Sequence, residues 1–451
     1  MARPNGRSPR LALRHRPPVE TAGEVRPGAR RAVPGRTIFS RAVSYSEVGL
    51  PWARSLACAG ILCLASGTAE AYPWMIRHDY TGCGVCHVDP SGAGLLTDYG
   101  RSQNVLLMQM HYGSPPQGDE APRYAGFMFG AFPMPDWLLA QVTFRGAEFW
   151  VSQTAAGSPG NPSVTATDQR FLWMLLDARA ELKLGAFRAA GAIGYGNTVY
   201  TLPALVVGSD TEQLIAREYW VGVSLVDNEM LIRLGRINVP FGLRNVEHTS
   251  WVRNNTQTDI NYSQTTGLSV AFDNSRIRTE VQAILGNLSI HPDSFRERGL
   301  VGLLDVTVAE RATVGISALV ARAGESTTSA TPVLRQVYGL FGRWSPAEPV
   351  ALLLEGDVYL NDVLGSGATQ VNGVTWLQVD YEPIQGLHFM PALETLNAYG
   401  TGGTGFGTWL TIDWYCLPHT DIRLDGLYRA TPGTYGTTNT FSFLVQLHVF
   451  L

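Results

Sequence analysis

Cys83-Gly84-Val85-Cys86-His87 is the stretch whose residue types and spacing can do chemistry. C-x-x-C-H is the attachment pattern for a c-type haem. Two thiols add to the two vinyl groups of the porphyrin, and two intervening residues let both sulfurs reach the same edge of the macrocycle. The next residue then sets its imidazole beneath the ring as the proximal iron ligand. One covalently bound haem c is therefore expected on Cys83 and Cys86, with His87 on the iron. A redox disulfide uses the same cysteines. A zinc half-site does too, but no second Cys/His pair with suitable spacing follows. For the sixth iron position the nearby donors are Met75 and His78 before the motif, and Met108, Met110 and His111 after it. Met110 or His111 is the expectation, set against the commoner role of a Met on an apolar stripe, which is packing.

The flanks fit that reading. Asp89-Pro90-Ser91-Gly92-Ala93-Gly94 is turn-rich. Thr97 or Asp98 can cap a helix running through Tyr99 to about His111. Only about 35 residues separate His87 from the first clear strand, too few for a core of their own. The segment 72–122 must bury its haem against something else, and the lumen of a barrel is the nearest candidate.

The chain of 451 residues has 16% charged residues, 48 Gly and 10% aromatics. Beyond residue 72 no stretch approaches the ~18 apolar residues of a membrane helix. That composition suits strands with one face in lipid. The first 50 residues hold ten Arg and no Lys. Arg54, the apolar run Leu56–Leu64 and Ala69-Glu70-Ala71 then read as a secretory signal peptide. So long a lead before a signal peptide points to a translation start further along, with Val43 and Val48 as candidates. A basic nucleic-acid-binding arm is the rival reading. Residues 1–71 are set apart as extension and signal peptide. Of five cysteines, Cys58 and Cys63 leave with that segment and Cys416 stands alone. With the eleven Arg and four Glu of residues 1–71 set aside, 23 basic and 34 acidic residues remain, a net of −11. That charge gives no electrostatic basis for binding nucleic acid.

Residues 123–451 read as an outer-membrane β-barrel. Period-two alternation is clear in four stretches. Ala178, Ala180, Leu182 and Leu184 oppose Asp177, Arg179, Glu181 and Lys183. Ile277, Val281 and Leu285 oppose Arg278, Glu280 and Gln282. Leu352, Leu354 and Val358 oppose Glu355, Asp357 and Tyr359. Ile422, Leu424 and Tyr428 oppose Asp421, Arg423 and Asp425. A soluble sandwich shares this pattern with its apolar face turned inward. Connection lengths favour a barrel: seven tight turns alternate with eight longer loops, the asymmetry of periplasmic turns and external loops. The turns fall near 184–186, 227–228, 273–275, 309–311, 346–349, 382–386 and 417–420. The loops are expected at about 150–169, 200–216, 237–263, 289–298, 324–334, 361–372, 396–404 and 432–436. An all-β transmembrane antiparallel barrel of about 16 strands follows, or eighteen if Arg123–Phe132 adds a strand. The longest loop, Ile237–Tyr262, is entered through the stretch Gly235-x-x-x-x-Pro240-Phe241-Gly242. It resembles the third loop of porins, which folds inward and narrows the lumen. An ordinary surface loop is the alternative. The alternating end Phe441–Leu451 resembles an outer-membrane assembly signal, with Leu451 where Phe is usual.

In Cys83–His87, Pro90, Leu96, Tyr99-Gly100-Arg101 and the barrel ending, the chain resembles the fused monohaem cytochrome c–porin proteins of Gram-negative outer membranes. Some of these are iron oxidases. The resemblance implies one haem in or at the mouth of a pore. It also implies electron transfer across the outer membrane, from extracellular Fe(II) or another donor to a periplasmic carrier such as a cytochrome c. The apolar band of such barrels is about 25 Å tall, so a haem near its middle would divide the path into halves of roughly 12 Å. A passive diffusion porin with a structural or sensory haem, and a soluble periplasmic cytochrome with a β-domain, are the rivals. No hydrolase motif or P-loop is present.

Overall fold

The protein is described by a computed structural model, over residues 73–113, 124–156, 163–195, 214–245, 247, 249–260, 263–286, 297–324, 331–433 and 436–451. The signal-peptide reading of residues 1–71 lies outside them. Sixteen strands follow in order: β1 Leu138–Ala155, β2 Val164–Leu184, β3 Phe187–Tyr195, β4 Leu214–Leu225, β5 Met230–Ile237, β6 Thr265–Asp273, β7 Ile277–Gly286 and β8 Arg298–Ala309. Then come β9 Ala312–Ala323, β10 Val333–Ala347, β11 Val350–Val363, β12 Ala368–Ile384, β13 Leu387–Asn397, β14 Thr404–Leu417, β15 Thr420–Gly433 and β16 Gly436–Phe450. Each strand pairs with its sequence neighbours, and β1 pairs with β16 to close the barrel. Closure leaves no sheet edge, which is the condition for strands to cross lipid.

All seven tight turns fall where the alternation broke. Two loops are shorter than expected because pairing continues through them, as in Gln153↔Ala166 and Asp362↔Thr369. These strand ends are rich in Thr, Gln and Asn, so they carry no apolar period to mark them. Residues 124–132 form no strand. They run through a helical turn and tight turns, with Met128, Phe129 and Gly130 all at positive φ. The count is sixteen.

The apolar face points outward, which excludes a sandwich. Ile316 and Leu340 lie opposite each other on β9 and β10, 55% and 60% exposed. Arg233, Asp177, Glu355 and Asp380 are fully buried inside. Exposed Trp137, Phe187, Trp344, Tyr381 and Trp414 ring the tight-turn end, and Phe171, Phe406, Tyr428 and Phe441 the loop end. These are the two aromatic girdles of a membrane barrel. At the chain end Leu451 exchanges backbone hydrogen bonds with Val142, which extends the β1 pairing. Phe450 turns inward and is 5% exposed. The aliphatic last residue thus takes the wall position, and the penultimate Phe serves the interior.

The third loop does fold into the lumen. It carries the short helix α2, Trp251–Asn254, after α1, Asp98–Gln103, of the N-terminal segment. Arg253 pairs with Glu355 of β11, and the Leu243 amide donates to the same carboxylate at 3.1 Å. The Trp251 amide donates to Glu394 of β13 at 2.8 Å, and Glu247 pairs with Arg423 of β15 at 2.6 Å. Gly242 sits at φ +58°, and a Cβ there would overlap the Glu355 carboxylate. The Pro240-Phe241-Gly242 turn is therefore fixed by its wall contact.

Leu340→Arg places a charge on the lipid face of the band. It is expected to lower unfolding stability in vesicles by about 2–4 kcal/mol, measured by denaturant titration of the refolded barrel. Unchanged stability would mean that this face does not meet lipid.

Candidate functional site

The N-terminal segment enters the lumen at the tight-turn end and is tied to the wall nearly all round. A 3-10 turn, Pro73–His78, buries Trp74, Met75 and Ile76 against Ala351, Met390 and Tyr415. Arg77, fully buried, pairs with Asp380 and with Glu382 at 2.9 Å, both on β12. Asp79 meets Arg311 of the β8–β9 turn at 2.7 Å. The Cys83 and Gly84 amides donate to Asp273, the last residue of β6, at 3.3 and 2.9 Å. Arg278 of β7 donates to Cys83 Sγ at 2.9 Å and pairs with Asp305 at 3.1 Å. Asp89 pairs with Arg233 of β5 at 3.0 Å and accepts from Asn238 at 2.7 Å. Arg244 of the third loop donates to Ser91 Oγ at 3.0 Å.

Local structure holds the motif itself. The His87 amide donates to the Cys83 carbonyl at 3.0 Å, making one helical turn of C-x-x-C-H. His87 then bridges Leu96, and the Leu96 amide donates to Gln141 of β1 at 3.0 Å. Thr97 is the N-cap of α1. Its hydroxyl accepts from the Gly100 amide at 3.1 Å and donates to the Val85 carbonyl at 2.6 Å. A Cβ on Gly100 would overlap the Cys86 carbonyl, so only glycine lets α1 pack on the motif. The helix passes into a π turn, Asn104–Met108, and stops three residues short of His111.

Cys83 and Cys86 lie together in one apolar cluster with Leu96 and Phe450. His87, Leu96 and Phe450 line a cavity, open on one side, with Gln141, Arg145, Arg179, Arg217, Arg244, Asn245, Gln264 and His448. Several buried polar atoms of its lining have no hydrogen-bond partner: His87 Nδ1, Arg145 Nε, Arg244 Nη1 and Gln264 Oε1. Orphaned guanidinium nitrogens beside an apolar patch suit a flat apolar ring that carries carboxylates, as the two propionates of haem do. Burial drives the His87 pKa down to about 4, against the nearby Asp89, so the imidazole is neutral and its lone pair available. Burial likewise pushes the Cys83 thiol up, against Arg278 and Arg343. Asp89 is buried too, but Arg233 and Arg244 outweigh that cost and hold it below the usual carboxylate range.

The structure thus sets His87 on the cavity wall and buries Cys83 and Cys86 in the cluster that shares Leu96 and Phe450 with it. Met110 and His111 do not line it. Met110 donates its amide to Tyr415 at 2.9 Å and packs beside Gly386 of the β12–β13 turn, with His111 next to it. Met108 and Met75 pack in the Trp74 cluster. The motif lies toward the tight-turn mouth, and the cavity runs from it past Arg145 of β1 and Leu175 of β2 to the third loop at Asn238, Arg244 and Ile260. Asp273, Arg278, Arg145 and His448 were not singled out as site residues from sequence. The inward parity of Arg278 was legible in the alternation of its strand, but its height in the barrel was not.

No family model matches the chain, and no curated protein matches it. Solved structures match in fold. The outer-membrane-expressed OmpT of Vibrio cholerae aligns at TM-score 0.50 and 10% identity, over 71% of this chain and 99% of that one. An anion-selective porin from Comamonas acidovorans aligns at 0.49 and 10%, over 70% and 99%. The outer membrane channel DcaP of Acinetobacter baumannii aligns at 0.47 and 10%, over 70% and 97%. The chain is similar to these as a barrel.

Arg77→Leu leaves the buried Asp380 and Glu382 without their guanidinium, with the His388 imidazole beside them at 3.0 and 3.6 Å. Breaking such a pair costs about 3–5 kcal/mol, and the expected result is protease access to the N-terminal segment in a barrel that still runs as folded on unheated gels. Resistance equal to wild type would remove Arg77 as the anchor. A second anchor is acid-labile. The His419 amide donates to Asn104 at 2.8 Å, and its Nε2 meets the Tyr124 carbonyl at 2.8 Å. Burial lowers this imidazole from 6.5 to about 4. Its contribution is therefore complete above pH 6.5 and is lost as pH falls toward 4. Hydrogen exchange of the His419 amide should accelerate over that window beyond its intrinsic pH trend, and His419→Gln should flatten the excess.

Proposed function

We propose that this chain is an outer-membrane monohaem c-type cytochrome–porin that conducts electrons across the membrane, from an extracellular donor such as Fe(II) to a periplasmic cytochrome. The observation that carries the reading is the burial of Cys83 and Cys86 inside the barrel, against Leu96 and Phe450, with His87 on the wall of the adjoining cavity and unpartnered arginine nitrogens beside it. The haem supplies a one-electron couple when bound. The chain's residues do the rest. Asp273 fixes the start of the C-x-x-C-H turn through two amides. His87 presents a neutral imidazole to the iron, Leu96 and Phe450 would shield the cysteine edge of the ring, and Arg145 and Arg244, which keep nitrogens without partners, would hold its carboxylates. The third loop and the N-terminal segment occupy the lumen, which favours an electron conduit over a passive diffusion pore.

The test is the optical spectrum of the detergent-extracted protein before and after Fe(II), with haem staining on a denaturing gel. A c-type spectrum that sharpens on Fe(II), and loss of covalent haem in Cys83→Ala/Cys86→Ala, are expected. Bilayer conductance should lie well below that of an open porin. A haem reduced by dithionite and not by Fe(II) keeps the cytochrome and removes the iron substrate. No covalent haem in a host that matures cytochromes c, together with large conductance, leaves a porin with an incidental motif.

A further inference from the structure

The cavity that receives His87 from the N-terminal segment receives a second imidazole from the wall, His448 of β16. Among the described residues lining it, these two are the side chains with an imidazole, and none carries a thioether. His448 Nδ1 lies 2.8 Å from Asp421 Oδ1, on the neighbouring strand and in direct register. An ionised carboxylate only accepts hydrogen bonds. The proton therefore sits on Nδ1, and Nε2 carries the lone pair. A histidine whose second nitrogen donates to a carboxylate is the arrangement that orients metal-ligating imidazoles and raises their basicity.

Two further contacts tie His448 to the cysteine side of the cavity. Its ring lies against Phe450, centroids 5.2 Å apart, and Phe450 belongs to the cluster with Cys83, Cys86 and Leu96. On the other side its register partner on β1 is Arg145, whose Nε is one of the unpartnered nitrogens. The imidazole is thus held between an orienting carboxylate and a guanidinium suited to a propionate, on a strand rather than a loop. A wall strand holds a ligand more tightly than a loop does.

We infer that His448 is the second axial ligand of the haem iron, with Asp421 as its positioning residue. The inference rests on the haem reading above and deepens it: the centre is bis-histidine. A thioether ligand raises the potential of a cytochrome c, so bis-histidine ligation sets this haem below a His/Met centre.

The experiment compares the ferric haem of wild type with His448→Ala, His448→Met, Met110→Leu and His111→Ala, by electron paramagnetic resonance and near-infrared spectra on purified protein. Wild type is expected to be low-spin with no sulfur-to-iron charge-transfer band. His448→Ala should turn high-spin and return to low-spin on adding imidazole. His448→Met should gain the sulfur band and a higher midpoint potential. Asp421→Asn should stay low-spin with a raised potential. Met110→Leu and His111→Ala should match wild type. The unheated gel mobility of each variant reports whether its barrel is folded. A folded His448→Ala that stays low-spin without imidazole overturns the assignment, as does a sulfur band in wild type. Wild type without covalent haem overturns the haem reading itself, and that outcome precedes any variant.

Discussion

A wall of sixteen strands whose charged face points inward creates a demand that the strands alone do not meet. Most of the inward Arg, Asp and Glu side chains are buried, and a buried charge without a partner is expensive. Some pairs close within the wall, as Asp177 does with Arg179 at 2.7 Å and with Arg217 at 2.8 Å. Others need the chain segments that fill the lumen. Asp380 and Glu382 take Arg77 from the N-terminal segment, Arg233 takes Asp89, and Glu355 takes Arg253 from the third loop. The polar interior and the two inserts are one system.

This explains how a segment with no core of its own holds a defined geometry. Its backbone is pinned at Asp273 and Gln141, and its charges at Asp380, Glu382 and Arg233. Ion pairs of this kind add little net stability compared with apolar packing, but mismatched docking leaves a charge unmet. They therefore set where the segment sits more than how tightly the barrel holds. The cavity beside His87 is one of the places where this matching is incomplete. Arg145 and Arg244 keep nitrogens without partners there, in a lumen whose other charges are largely paired. A ligand with carboxylates completes the pattern.

Much of the wall was legible because its signals are local. Period-two alternation depends only on the pleat, and seven tight turns showed as breaks in it. The misjudged places are those where local signals fail. The strand ends beyond Gln153 and Asp362 meet water on both faces, so their sequence lacks an apolar period. The stretch 124–132 has strand-like composition, but its positive-φ turns at Met128, Phe129 and Gly130 bend it. The helix after the motif was expected to reach His111. It ends at Met108, where the chain turns to pair Met110 with Tyr415.

By itself the sequence determined the alternating strands, their tight turns, a count of about sixteen and the C-x-x-C-H element, since each depends on residues near one another in the chain. Only the tertiary structure decided which wall residues share a cavity with His87. Arg145, Arg179 and His448 come from β1, β2 and β16, and their meeting at one cavity follows from closure of β1 on β16 and the register of the pairs between. A one-residue slip in any pair would turn a strand's whole inward set to the lipid, so that meeting belongs to the closed barrel as a whole. Met110 and His111 lie near the motif in sequence and away from its cavity in space; His448 lies at the far end of the chain and on the cavity wall.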